Sequence, residues 1–186
     1  MEISIQLAKL SDIDDVMMLQ AKYHVDSINE NDRKDGFVTT LFSREQLSEL
    51  IVRENGLVIA KAGKNVVAYI MVASWQYWSA WPLFAHMIND LSRLHYQGYD
   101  LDTANSFQYG PICIDKSVRG EGVLENIFAF TKAHMSHRYP VLVTFINQNN
   151  RRSYEAHKRK LKLDVINEFH FNDNHYFELA CLTRQD

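Results

Sequence analysis

The sequence predicts an α/β fold in which a mixed sheet of about seven strands is covered by helices. Three observations predict it. Stretches with an apolar period of two alternate with stretches at helical spacing, in the order β-α-α-β-β-α-β-α-β-α-β-β. Short polar turns separate them, and no repeat, low-complexity run or linker interrupts the series. Apolar residues make up 46% and charged residues 23% of 186 positions, enough for a core that needs neither disulfide nor metal. Residues 1–186 therefore read as a single domain.

The elements follow in order. "EISIQLA" alternates apolar and polar residues, as a half-buried strand does. Ser11, with Asp14 three residues on, has the spacing of a capping box, and Ile13, Val16, Met17 and Gln20 follow helical spacing. Residues 29–38, "NENDRKDGFV", are polar, contain Gly36 and read as a loop. "SREQLSELIVREN" reads as a second helix, with Ser43 as its N-cap and Gly56 just past its end. "GLVIAKAGKNVVAYIMVASW" reads as a hairpin turning at Gly63-Lys64-Asn65.

Residues 77–106 form a long connection between the third and fourth strands, with an extra aromatic-rich helix. Pro82 suits the first turn of that helix, and Leu83, Met87, Leu91 and Leu94 suit its buried stripe. Then come a strand "FQYGPICI", a helix "GEGVLENIFAFTKAHMSHRY", a strand "VLVTFI" and a helix "NRRSYEAHKRKL". The last pair, "DVINEFHF" and "HYFELACLT", turns at Asn172-Asp173-Asn174.

Several function classes are excluded early. A net charge of -3 argues against nucleic-acid binding by bulk charge. No run approaches the ~20 apolar residues of a membrane span. The first residues lack a secretory pattern, so a cytoplasmic protein is expected. Cys113 and Cys181 lie in apolar strands and read as buried free thiols of a reducing compartment. His134 and His137 share a helix without a third ligand, so no metal site is expected. Arg151, Arg152, Lys158, Arg159 and Lys160 read as a charged helix face, with contacts to an anionic cofactor as the economical alternative.

The stretch "RGEG", Arg119 to Gly122, stands where a strand hands over to a helix. A helix N-terminus carries unpaired N–H groups and partial positive charge. Glycines permit a tight turn and close approach, and Arg119 adds a forked cation. The set reads as a pyrophosphate cradle. Neither G-x-x-x-x-G-K-[ST] nor G-x-G-x-x-G occurs, so a nucleotide-hydrolysis loop and a Rossmann site lack support.

In this region the chain resembles the GNAT superfamily of acyl-CoA-dependent N-acetyltransferases, whose main motif is a strand followed by Q/R-x-x-G-x-G/A opening a helix. Arg119, Gly120, Glu121, Gly122, Val123 and Leu124 occupy it, with Leu124 where Gly or Ala is usual. The resemblance spans nearly the whole chain in element order and is most specific from Gly110 to Leu163. It implies a mostly antiparallel sheet and acetyl-CoA as cofactor. It also implies that Ile112, Cys113 and Ile114 pair with the pantetheine arm, and that the amides from Arg119 to Leu124 hold the pyrophosphate. The strand "VLVTFI" would splay away and leave the gap for the thioester.

A family asparagine after that strand matches Asn150 best, with Asn147 competing. A tyrosine seven residues later often protonates the leaving thiolate. Counting from Asn150 lands on His157, and counting from Asn147 lands on Tyr154, so either side chain is the implied acid. The family's usual Gly-Phe after this helix is replaced by "KLKL". The implied reaction is direct transfer of an acetyl group to a primary amine, on a small molecule or a protein. A backbone N–H of "PICI" would stabilise the oxyanion, and Cys113 is not a nucleophile. The alternative is a catalytically silent acyl-CoA-binding or protein-interaction domain. A homodimer is expected by analogy.

Trp78, Trp81, Phe84 and Tyr99 of the long connection are expected to line the acceptor pocket. Acidic residues between 30 and 35 would draw a cationic amine towards it.

Overall fold

The hairpin turning at Gly63 forms as its residues require. Gly63 takes φ 63°, a conformation open to glycine, and joins β2 (Leu57–Ala62) to β3 (Asn65–Ala73). Strand β1 (Ile3–Leu7) pairs antiparallel with β2. In the computed structural model residues 2–35 and 37–184 are described, with the backbone alone at Lys34 and Asp35. Seven strands form one mixed, mostly antiparallel sheet in the order β1-β2-β3-β6-β7-β9-β8, where β6 is Ser106–Ile114, β7 Val141–Asn147, β8 Asp164–Phe171 and β9 Asn174–Leu182.

The chain divides into two compact units. The first comprises residues 1–72 and 110–131. Helix α1 (Ile13–Tyr23) buries Ile13, Val16, Leu19, Gln20 and Tyr23. Ser11 is not its cap. A 3-10 turn over Leu10–Asp12 comes first, and the Asp12 carboxylate accepts from the Lys9 amide at 2.8 Å. The segment read as a loop over 29–38 contains a 3-10 turn, Glu30–Asp35, while Gly36 lies outside the described residues. Helix α2 (Arg44–Glu49) starts at a Ser43–Gln46 capping box and runs on as a π-turn over Leu50–Glu54. Asn55, at φ 48°, ends it. Gly56 answers to packing instead: a Cβ there would stand 1.7 Å from the Val72 carbonyl oxygen.

The second unit comprises residues 73–109 and 132–186. Its connection holds two features beyond the expected helix: a short helix α3 (Trp75–Trp78) and a hairpin of β4 (His95–Tyr96) with β5 (Tyr99–Asp100). Helix α4 (Pro82–Leu91) has Pro82 in its first turn and buries Phe84, Met87 and Leu91, so the stripe runs through Phe84 rather than Leu83. The tryptophans of α3 are pinned from their indole N–H groups. Trp75 donates to Ser106 Oγ at 2.9 Å and Trp78 to the Gln108 carbonyl at 3.2 Å.

Strand β6 (Ser106–Ile114) belongs to both units, dividing between Tyr109 and Gly110. It pairs parallel with β7 (Val141–Asn147) over three rungs, Ser106↔Val141 to Gln108↔Val143. Beyond them Thr144 Oγ1 donates to the Tyr109 carbonyl at 2.7 Å. Strand β9 (Asn174–Leu182) pairs antiparallel with β7 along its whole length and with β8 (Asp164–Phe171) on its other side. Helix α5 (Val123–Met135) follows the glycines, shorter at both ends than the sequence pattern suggested. Helix α6 (Arg151–Glu155) continues as a π-turn, Ala156–Lys160, closed by the Leu161 amide on the Ala156 carbonyl at 3.1 Å.

Candidate active site

In the first unit the chain leaves β6 through a 3-10 turn, Lys116–Val118, capped by the Asp115 carboxylate accepting from the Ser117 amide at 2.9 Å. Val118 is buried and anchors the turn. Gly120 and Gly122 then take φ 83° and 78°, so both glycines are needed where the sequence puts them. A Cβ on Gly120 would meet nothing within 4 Å. Helix α5 begins at Val123, and its first bond runs from the Asn126 amide to the Gly122 carbonyl at 3.1 Å. Among the described residues nothing accepts from the amides of Gly120, Glu121, Gly122, Val123 and Leu124. Five consecutive donors at a helix start suit a diphosphate.

Tyr23 supports this turn. Its hydroxyl accepts from the Lys116 amide at 2.7 Å, and the Arg119 guanidinium lies 5.5 Å over its ring. Arg119 Nε also donates to the Ile114 carbonyl at 3.3 Å, so its charge is held beside the glycines. Burial pushes the Asp115 carboxyl up, but bonds from Lys22 and Ser117 outweigh it and hold it at about 2. Asp32 of the acidic segment faces Lys116 at 3.6 Å, which offsets its charge. Ile112 and Ile114 are half-buried and Cys113 is buried. Burial pushes the Cys113 thiol up to about 12, leaving it protonated and unreactive.

In the second unit Asn150 caps α6, its Oδ1 accepting from the Ser153 amide at 3.2 Å. Asn147 is committed differently: its Nδ2 donates to Asn174 Oδ1 at 3.2 Å and its Oδ1 accepts from the Asn149 amide at 2.9 Å.

His157 and Tyr154 part company. His157 is 4% exposed. Its Nδ1 lies 2.7 Å from the Ser153 carbonyl and its Nε2 3.2 Å from the Tyr109 hydroxyl. The Ser153 carbonyl takes the Nδ1 proton, and a neutral ring then presents Nε2 to the Tyr109 hydroxyl as an acceptor. Burial lowers its pKa further below the usual histidine range. Tyr154 is half-buried and stacks on Phe177, with ring centroids 4.6 Å apart. Among the described residues its hydroxyl has no partner.

Of the aromatics expected to line an acceptor pocket, Trp78, Trp81 and Phe84 come together as a packed cluster, and Tyr99 stands apart from them. Trp78 is fully buried, against Trp81 at 5.5 Å and Phe84 at 4.9 Å. Its place is therefore in the core, where its N–H is already spent. Phe84 is nearly as buried, and its ring meets Phe145 edge-on at 5.5 Å. Trp81 is half-buried. Tyr99 stands on the β4–β5 hairpin, 38% exposed.

Two groups escaped the sequence reading. Tyr109 is the buried partner of His157. Glu178 lies in β9 at 1% exposure. Its signal was present, a lone carboxylate between Phe177 and Leu179 in an apolar run. Among the described residues no group of three or more His, Cys, Asp or Glu is placed to hold a metal, and no helix is long and apolar enough to cross a membrane.

No protein-family model matches the sequence, and no curated protein matches it significantly. Solved structures match the fold over its length. An acetyltransferase of the GNAT family from Streptococcus pneumoniae aligns with TM-score 0.66 at 10% identity, over 97% of this chain and 99% of that one. The ribosomal-protein-S18-alanine N-acetyltransferase from Escherichia coli aligns with TM-score 0.63 at 7% identity, over 100% and 96%. The yncA protein of Salmonella typhimurium, whose structure holds its cofactor acetyl-CoA, aligns with TM-score 0.62 at 10% identity, over 99% and 95%. At these identities the chain shares their fold: the seven-stranded sheet flanked by helices is that of GNAT acetyltransferases.

Proposed function

We propose that this chain is an acyl-CoA-dependent N-acyltransferase that moves an acetyl group from acetyl-CoA to a primary amine by direct attack in a ternary complex. The observation that carries the reading is the turn at Gly120 and Gly122, where left-handed glycines leave consecutive amides unpartnered at the start of α5. The residues present fit the cofactor, because the space over Gly120 is open and Arg119 is held at the same turn.

In this reading the amides from Gly120 to Leu124 bind the diphosphate, with Arg119 supplying the countercharge. The backbone of Ile112, Cys113 and Ile114 carries the pantetheine arm, and an N–H of that strand polarises the carbonyl oxygen. Acetyl-CoA supplies the activated acyl carbon and a thiolate leaving group. Tyr154, with its unpartnered hydroxyl, is the proton donor we assign. His157 fixes α6 against Tyr109 and keeps that helix in place. Asn150 serves by capping the same helix. A protein that binds acyl-CoA without turnover is the second reading, favoured by the closed position of His157.

Calorimetric titration of acetyl-CoA into wild type and an Arg119→Ala, Gly122→Val double variant tests the proposal. Binding by wild type that the folded double variant loses by tenfold or more is expected. No binding by wild type would sink it. Thiol release on an amine panel then separates an enzyme from a silent binder.

A further inference from the structure

Glu178 is out of place in a strand that should be apolar. It stands opposite Phe145 of β7 and beside Asn167 of β8 in the sheet register. Its Oε1 accepts from Asn167 Nδ2 at 3.3 Å, and its Oε2 is buried with no hydrogen-bond partner among the described residues. A buried carboxylate oxygen left unsatisfied costs free energy that a protein recovers only by protonation or by a bound donor.

The surroundings on that face of the sheet favour a cation. Side chains directly opposite or two residues apart share a face, which puts Phe145, Tyr176 and Glu178 together. Phe145 meets Tyr176 at 5.6 Å, and Tyr176 stacks on Phe169 at 5.2 Å. Phe84 of α4 closes on Phe145, and His86 of α4 on Phe169 at 5.6 Å. Aromatic faces attract an ammonium group electrostatically, and a carboxylate among them supplies the charge-assisted bond.

We propose that Glu178 Oε2 is the acceptor-amine site: it binds the ammonium of a primary monoamine on an apolar stem and takes its proton. The inference rests on the acyl-transfer reading for its catalytic meaning and on the geometry of Glu178 for its binding. One N–H bond of the ammonium breaks and one O–H bond forms on Glu178, leaving a neutral amine with a free lone pair. A second cationic group on the ligand has no counterpart there, because the Asp90 carboxylate of α4 already pairs with Arg93, just past that helix, at 3.1 Å. Glu178 is closed to solvent, so the side chains around it must move to admit the ligand.

Other charged or titratable groups bear on the site. Asp90 and His86 come from α4, Arg93 from just past its end and Tyr176 from β9, while the β8 neighbour Asn167 is neutral. Burial pushes the Glu178 carboxyl up to about 7, Asp90 adds to the rise, and Asn167 and Arg93 oppose it. Loss of the carboxylate charge below pH 7 then weakens amine binding.

The test titrates benzylamine, phenethylamine and n-hexylamine into the whole protein and its Glu178→Gln variant, with benzyl alcohol as the uncharged control. At least one amine is expected to bind wild type and to bind E178Q tenfold or more weakly, with benzyl alcohol unaffected. Wild-type affinity should fall as pH drops from 8 to 6. Equal amine affinity in both proteins, or no amine binding to wild type, overturns the proposal. If E178Q folds poorly, the wild-type pH series decides alone: a flat series overturns it. Acetyl-CoA titration reports separately, so failed cofactor binding counts against acyl transfer and not against this site.

Discussion

His157 and Glu178 are buried ionisable residues with opposite consequences for stability. His157 is held neutral, because burial keeps its pKa below the ordinary histidine value of 6.5. The unfolded chain then binds the extra proton first as pH falls, so this contribution is present above pH 6.5 and lost below it. Glu178 runs the other way. Burial lets the folded state keep its proton up to about 7, against an ordinary glutamate value of 4.5, so stability falls as pH rises through that window. Denaturant unfolding of E178Q and wild type should show the variant gaining on the order of 3 kcal/mol relative to wild type between pH 4.5 and 8. A constant difference would place the carboxyl in water. His157→Leu removes the buried hydrogen bond between His157 and the Tyr109 hydroxyl. It should cost about 1–3 kcal/mol and leave acetyl-CoA affinity unchanged in the variant that still folds. Loss of cofactor binding by that folded variant would give His157 a part in the site.

At the scale of elements, the long connection between β3 and β6 is built by its tryptophans. Trp75 and Trp78 of α3 each spend an indole N–H on β6, and Trp78 also packs on Phe84 of α4. Trp78→Ala should therefore lower stability by about 3–5 kcal/mol, the cost of an emptied aromatic site. Denaturant unfolding checks this. A variant of wild-type stability with weakened acceptor affinity would restore Trp78 to a pocket. The turn before α5 works by subtraction. Its glycines remove side chains and leave backbone donors, and Tyr23 holds Arg119 beside them.

For the molecule as a whole, a ligand that binds the folded state and not the unfolded chain raises the melting temperature by mass action. Acetyl-CoA at a hundredfold excess over its Kd should add about 2.7 kcal/mol. For a chain of 186 residues that is a rise of about 5–10 °C, read by a thermal melt with and without cofactor. An unchanged melt at that excess would speak against the cradle. At the same cofactor concentration the rise should fall to about half or less in the Arg119→Ala, Gly122→Val variant.

Local chemistry by itself determined the order of the seven sheet strands along the chain, the hairpin at Gly63, the cap at Ser43, Pro82 in the first turn of α4 and the two glycines before α5. Each depends on a few neighbouring residues, so spacing and turn chemistry suffice to read it. The tertiary structure alone decided which side chains are free to act. His157 and Tyr154 are equivalent in the sequence, three residues apart on one helical stretch. Only the approach of Tyr109 from β6 closes one and leaves the other with an unpartnered hydroxyl. Trp78 became core because Gln108 offers its carbonyl, and Glu178 became an orphan because β7, β8 and α4 surround it without supplying a donor to Oε2. Burial and pairing arise between residues far apart in the chain, and these long-range contacts set the cost of each charge and each unmade hydrogen bond.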